Sequence, residues 1–133
     1  MALAKKIDHV AIAVKDLDAA VKTFTRNFGF PVERTGEVPR LGIRSALLTI
    51  GDAALEVFQP TSAGNPAAQF IAERGEGLYA LSLEVASMAA AAEMLAKKGI
   101  EVSVQQLDDG TKTASISPKA THGVLLQLIE HPT

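Results

Sequence analysis

The sequence predicts an α+β fold built from two βαβββ modules, because the chain repeats both its pattern and its spacing. Residues 7–24 align with residues 78–95, and residues 53–60 align with residues 124–131. Both alignments need the same shift of 71 residues, from 7 to 78 and from 53 to 124. Unrelated βα units would not keep one shift over two separated segments. We therefore predict modules at 7–60 and 78–131, joined by a helix at 65–74, within one domain covering residues 1–133.

The first module begins with alternating side chains at residues 7–14, a strand that is apolar on both faces. Asp16 is a good helix N-cap, and Gly29 is a good stop. The apolar stripe of the helix between them consists of Leu17, Ala20, Val21 and Phe24. The remaining strands are predicted at 31–39, 42–51 and 53–60. Gly51 and Asp52 form the hairpin turn between the last two.

The second module repeats this order with a strand at 78–85 and a helix at 88–98. Ser87 is the expected N-cap of that helix, and Gly99 its end. Three more strands are predicted at 100–107, 111–118 and 123–130. Asn65 and Pro66 predict the start of the connecting helix, because asparagine caps well and proline suits the first helical position.

Composition narrows the classes of function. The chain has no cysteine, which excludes disulfides, thiolate nucleophiles and cysteine-bound zinc. Its net charge of −2, with both signs mixed, gives no electrostatic footprint for nucleic acid. No apolar run approaches the roughly 20 residues that span a bilayer, and the first residues do not resemble a secretory signal. We therefore expect a cytoplasmic protein whose partners are neither nucleic acid nor membrane.

His9 and Glu56 are the strongest candidates for a functional site. Taken alone, a histidine on an apolar strand is more often a hydrogen-bonded core residue. A carboxylate in the middle of a buried strand, however, is costly without a partner. Glu56 is therefore expected to face a wet or charged cavity, with His9 as its partner. The other histidines, His122 and His131, are interpreted as surface or turn residues.

The repeat places Ala80 at the position of His9, and Gln127 at the position of Glu56, because 80 minus 9 and 127 minus 56 both equal 71. With histidine and glutamate in both modules, these positions would give a four-ligand metal site. Only half of that set remains. A His–Glu pair that binds a polar ligand or acts as a general base without metal is an open alternative.

Three stretches resemble the methylmalonyl-CoA epimerase family: residues 7–21, 55–77 and 116–128. This family belongs to the vicinal oxygen chelate superfamily, which also includes glyoxalases, bleomycin-resistance proteins and extradiol dioxygenases. The resemblance implies a glyoxalase-like fold, in which two modules pair into a cupped mixed sheet around a divalent metal. It also implies a homodimer.

The family pattern and this chain differ at the residues that carry chemistry. The resemblance implies metal ligands at His9, Glu56, residue 80 and residue 127, where the family has His at 80 and Glu at 127. Arg40 stands where the family commonly has another Glu. We therefore expect a divalent metal (Co, Mn, Zn or Ni) to be held weakly or not at all, with Gln127 as a weak ligand. Glu56 is the expected catalytic residue, and the candidate substrate-binding residues are Arg40, Arg44, Tyr79 and Lys119.

Two functions remain open at this point. The favoured one is an isomerase or lyase, epimerase-like or glyoxalase-like, that acts on a small acyl or carbonyl compound such as a CoA thioester through a drifted active site. The alternative is a non-catalytic small-molecule-binding protein of the bleomycin-resistance type. Loss of two ligands favours the alternative, whereas retention of His9 and Glu56 favours the enzyme. A structural dimer without ligand is disfavoured by the charged pair inside apolar strands.

Overall fold

The computed structural model describes residues 2–133. The first module and the connecting helix contain β1 (Lys6–Ala13), α1 (Leu17–Phe28), β2 (Val32–Val38), β3 (Ile43–Ile50), β4 (Ala53–Pro60) and α2 (Pro66–Arg74). The second module contains β5 (Gly77–Glu84), α3 (Met88–Ala96), β6 (Val104–Gln106), β7 (Lys112–Ile116), a 3-10 helix (Pro118–Ala120) and β8 (Leu126–Glu130). None of the helices within residues 2–133 is long and apolar enough to cross a membrane.

Residues 9–79 form one compact unit. Its strands lie in the order β2–β3–β4–β1, with β1 parallel to β4 and the other pairs antiparallel. Asp16 caps α1 through the Ala19 N–H, and Gly29 ends the helix in the left-handed conformation, as the sequence predicts. The buried core of the unit consists of Val14, Leu17, Ala46, Leu48 and Val57. The predicted helical stripe packs on this core.

The second compact unit comprises residues 80–133 together with the described N-terminal residues 2–8. Its strands lie in the order β5–β8–β7–β6, again with the first pair parallel and the others antiparallel. The Ser87 side chain caps α3 through the Ala90 N–H. The buried core consists of Val85, Met88, Ala91, Leu95, Ala114, Ile116 and Leu128.

The duplication extends to hydrogen bonds between elements. In the first module, the Gln59 Oε1 accepts from the Leu17 N–H at 2.9 Å. In the second, the Glu130 Oε1 accepts from the Met88 N–H at 2.6 Å. Each residue of the second bond lies 71 positions after its counterpart in the first. The same shift relates the strand registers, because Ala11 faces Glu56 and Ser82 faces Gln127. The predicted α+β class with two βαβββ modules is confirmed, whereas one domain over residues 1–133 stays a prediction.

The second module differs from the prediction at its strand ends. Strand β6 covers only Val104–Gln106 of the predicted 100–107, because the chain is still closing α3 at Ile100, whose N–H bonds to the Leu95 carbonyl. Strand β8 begins at Leu126 rather than 123. Gly123 has φ 92° and donates its N–H to the Pro118 carbonyl, so it belongs to the turn that follows the 3-10 helix. Turn hydrogen bonds therefore occupy the first residue predicted for each of these two strands.

Candidate functional site

His9 and Glu56 lie side by side on the parallel strands β1 and β4. The register places Glu56 on β4 opposite Ala11 on β1. His9 precedes Ala11 by two residues on β1, so the side chains of His9 and Glu56 project from the same face of the sheet. The His9 Nε2 lies 3.7 Å from the Glu56 Oε1. At this distance the two side chains are in contact, but these two atoms do not make a direct hydrogen bond. The predicted pairing of these two residues is therefore present.

The pair is shielded but reachable by water. The His9 side chain is 12% exposed and the Glu56 side chain 27% exposed. A carboxylate in this position can accept a proton from a bound molecule, and the neighbouring imidazole can hold that carboxylate in place. The arrangement therefore suits proton transfer, although the catalytic role of Glu56 stays a prediction.

The second module presents neutral groups at the equivalent positions. Gln127 on β8 faces Ser82 on β5 and Ser115 on β7, and Ala80 is buried. A neutral amide is a weak ligand and alanine offers no donor, so this module adds no strong ligand to the imidazole and carboxylate of the first. The donor set at the four positions does not fit the divalent metal that the family resemblance implies.

Asn65 fixes the turn that carries Arg40. This turn, residues 39–42, joins β2 to β3 and exposes Arg40. The Asn65 Nδ2 donates to the carbonyls of Leu41 at 2.8 Å and Gly42 at 2.9 Å, while its Oδ1 accepts from the Ala67 N–H at 2.7 Å. Gly42 has φ +65°, and a Cβ there would lie 2.8 Å from the Asn65 Nδ2. The sequence indicated the cap of α2 but not this second role of Asn65.

We expect Asn65→Asp to destabilise the protein by about 1–3 kcal/mol, because a carboxylate oxygen would face two carbonyls in place of the amide donor. Aspartate keeps the oxygen that caps α2, so the loss of stability reports only the two bonds to the turn. Chemical denaturation measures it. Asp16→Asn is the matched control, since it exchanges carboxylate and amide at a cap without such bonds and should shift stability by only a few tenths of a kcal/mol. Equal stability of Asn65→Asp and the wild type would contradict the role.

The other predicted ligand-binding residues occupy separate surroundings. Arg44 on β3 pairs with Asp18 at 3.8 Å and lines an open cleft of about 400 Å³ on the first unit. Tyr79 packs edge-on against the rings of Phe58 and Phe70, and burial raises the pKa of its phenol. Lys119 lies exposed on the 3-10 helix. Substrate binding by Arg40, Arg44, Tyr79 and Lys119 stays a prediction.

A second polar cluster was not predicted. His131 is exposed, as expected, but its Nε2 lies 2.7 Å from the Asp8 Oδ1. Ligand atoms of Asp8, Glu84 and His131 all lie within 4.8 Å of one another. The repeat gave no signal for this cluster, since the same shift relates these residues to Tyr79, Ala13 and Pro60.

Comparison with known proteins gives a consistent set of relatives. The profile of the glyoxalase-like domain family matches residues 7–132. Human mitochondrial methylmalonyl-CoA epimerase is 28% identical over 127 residues, which cover 92% of this chain and 72% of the human protein. The ethylmalonyl-CoA/methylmalonyl-CoA epimerase of Cereibacter sphaeroides is 30% identical over 98 residues, 73% of each chain.

A solved structure extends this likeness to three dimensions. The crystal structure of methylmalonyl-CoA epimerase from Mycobacterium tuberculosis superposes with a TM-score of 0.93 at 28% identity, covering 100% of this chain and 92% of that one. The predicted glyoxalase-like fold is thereby confirmed. The chain belongs to the glyoxalase-like domain family and, with its epimerase relatives, to the vicinal oxygen chelate superfamily.

Proposed function

We propose that this chain is an isomerase or lyase of the epimerase lineage that acts on a small acyl or carbonyl compound, such as a CoA thioester, through a drifted active site. The observation that carries the proposal is the contact between His9 and Glu56 on the neighbouring strands β1 and β4. The relatives named as methylmalonyl-CoA epimerases support the substrate class.

Glu56 is the proposed general base. A hydrogen alpha to a thioester carbonyl is acidic enough for a carboxylate to remove in a shielded site. The C–H bond breaks, its proton passes to a Glu56 carboxylate oxygen, and its electron pair moves onto the carbonyl oxygen as an enolate. His9 holds the carboxylate in position at 3.7 Å. The reverse transfer regenerates Glu56.

Inversion at the alpha carbon needs a second proton carrier on the opposite face. The second module has Gln127 where the first has Glu56, and an amide does not accept or deliver a proton at neutral pH. A single base returns the proton to the face from which it came, or exchanges it with solvent first. We therefore expect slow epimerisation of methylmalonyl-CoA, with exchange of the alpha hydrogen at least as fast as inversion.

Glu56→Gln should lower alpha-hydrogen exchange at least tenfold, because it removes the base and keeps the side-chain shape; positioned bases contribute about 10²–10⁴-fold to rate. The measurement is deuterium incorporation from D₂O into methylmalonyl-CoA and a panel of short acyl-CoA thioesters, followed by NMR. Glu101→Gln, on an exposed segment, is the matched control and should exchange like the wild type. Unchanged exchange in Glu56→Gln would contradict the assignment of the base.

The alternative is a non-catalytic small-molecule-binding protein of the bleomycin-resistance type, and Ala80 with Gln127 favours it. The same experiment separates the two functions. Tight binding of a small molecule without exchange in the wild type would support the binding protein. Fast exchange with fast inversion would instead show a conventional epimerase and contradict the drifted site.

The family resemblance implies the assembly, whereas the expected location rests on composition, because the sequence has no cysteine and no apolar run long enough to span a bilayer. We propose a cytoplasmic homodimer. Light scattering after gel filtration measures the mass, and twice the chain mass of 14.0 kDa is the expected value for the dimer. A mass of one chain at micromolar concentration would contradict it.

A further inference from the structure

Asp8, Glu84 and His131 bring three metal-binding groups to one place within the second unit. Asp8 lies on β1, Glu84 is the last residue of β5, and His131 directly follows β8. Their ligand atoms all lie within 4.8 Å of one another. The residues are far apart in sequence, so the fold alone assembles the cluster.

The cluster is enclosed on its carboxylate side and open on its imidazole side. The side chains of Asp8 and Glu84 are 16% and 17% exposed, whereas that of His131 is 44% exposed. An ion can therefore enter beside His131 and keep water on its open side. Carboxylates shielded from solvent also gain more from a cation than exposed ones do.

Glu84 already has a cation partner that a divalent ion could displace. The Lys5 ammonium lies 3.2 Å from the Glu84 Oε2, and the Lys5 side chain is 56% exposed. An exposed lysine pair contributes little stability and its side chain is easily displaced. A divalent ion would neutralise both carboxylates, and Lys5 would become its competitor.

The distances require only small movements. Zinc bonds to imidazole nitrogen and carboxylate oxygen are about 2.0–2.2 Å long, so neighbouring ligand atoms around an ion lie about 3–3.5 Å apart. The contact of 2.7 Å between His131 and Asp8 is already near this spacing. The other ligand atoms are at most 4.8 Å apart. Rotation of the side chains, moving each ligand atom by roughly 1 Å, would bring them to this spacing.

We propose that Asp8, Glu84 and His131 form a divalent metal site, separate from the His9–Glu56 pair and independent of the proposed function. One imidazole and two carboxylates form a borderline-to-hard set that suits Zn²⁺, Co²⁺ or Mn²⁺ with water in the open positions. The ion joins the first strand, the end of β5 and the C-terminal segment of the same unit. Its role is to hold these segments together.

Zinc titration of the chelator-treated protein tests the proposal. Calorimetry in competition with a chelator should give one Zn²⁺ per chain, and saturating Zn²⁺ should raise the Tm by a few degrees. His131→Ala and Asp8→Asn should each weaken binding at least tenfold. Lys5→Met should tighten it several-fold, because the competing ammonium is gone.

Two controls locate the ion. His122→Asn changes an exposed histidine whose φ of 58° asparagine also tolerates, and it should bind zinc like the wild type. The double change His9→Ala plus Glu56→Gln should also leave this binding unchanged, which separates the site from the proposed active site. Circular dichroism checks the fold of every variant. No zinc binding by the wild type, or wild-type affinity in folded Asp8→Asn and His131→Ala, would overturn the proposal.

Discussion

Ala80→His combined with Gln127→Glu is expected to raise the affinity for Zn²⁺ or Co²⁺ by roughly 10²–10³-fold, because it adds two strong protein ligands. The two changes give the second module the donor pair of the first. Strands β5 and β8 keep the register of β1 and β4, so the new side chains stand on their strands as His9 and Glu56 do. Each single change adds one ligand and should give a smaller gain.

The titration is made in a His131→Ala background, which removes the separate cluster described above. The family resemblance implies that both pairs would serve one ion, so the expected stoichiometry is one tight ion per chain. Two weak ions per chain, or affinity no better than that of the background, would contradict the interpretation of Ala80 and Gln127 as lost ligands.

Local chemistry explains which parts of the fold the sequence predicts well. Asp16, Asn65 and Ser87 cap α1, α2 and α3, because each side-chain oxygen accepts from a backbone N–H two or three residues later. This short spacing is visible in the sequence. The constant shift of 71 residues predicts the order of the two modules, because it too can be measured in the sequence alone. The pairing of His9 with Glu56 was predicted for a separate reason, because a carboxylate in the middle of an apolar stretch is costly without a partner.

Features that depend on contacts between distant parts of the chain could not be predicted from sequence patterns. The cluster of Asp8, Glu84 and His131 needs three chain segments to meet, and no spacing rule links them. Asn65 reaches back 24 residues to the Leu41 carbonyl, so only the folded chain shows that it holds the Arg40 turn. The sequence pattern predicted a strand over residues 100–107, but β6 is shorter. At the start of that range the Ile100 N–H bonds back to the Leu95 carbonyl, a turn contact that the pattern does not reveal.

Arg40→Glu, added to Ala80→His and Gln127→Glu, is expected to raise methylmalonyl-CoA epimerisation by about 10²-fold or more, since positioned general bases contribute about 10²–10⁴-fold. Arginine stays charged and cannot accept a proton, whereas the family that the sequence resembles commonly has Glu here. Asn65 holds the adjoining Leu41 and Gly42 carbonyls, so the substitution should change the charge at residue 40 and leave the turn in place.

Arg40→Gln in the same background is the control that separates two causes, because it removes the cation without supplying a base. Deuterium wash-in at the alpha carbon and inversion of a single methylmalonyl-CoA epimer are measured together, with Co²⁺ present. If a base is what position 40 lacks, the Glu variant gains inversion and the Gln variant gains little. Equal gains from Glu and Gln would show that the Arg40 guanidinium only hinders productive substrate binding. The second proton carrier would then be another residue of the chain.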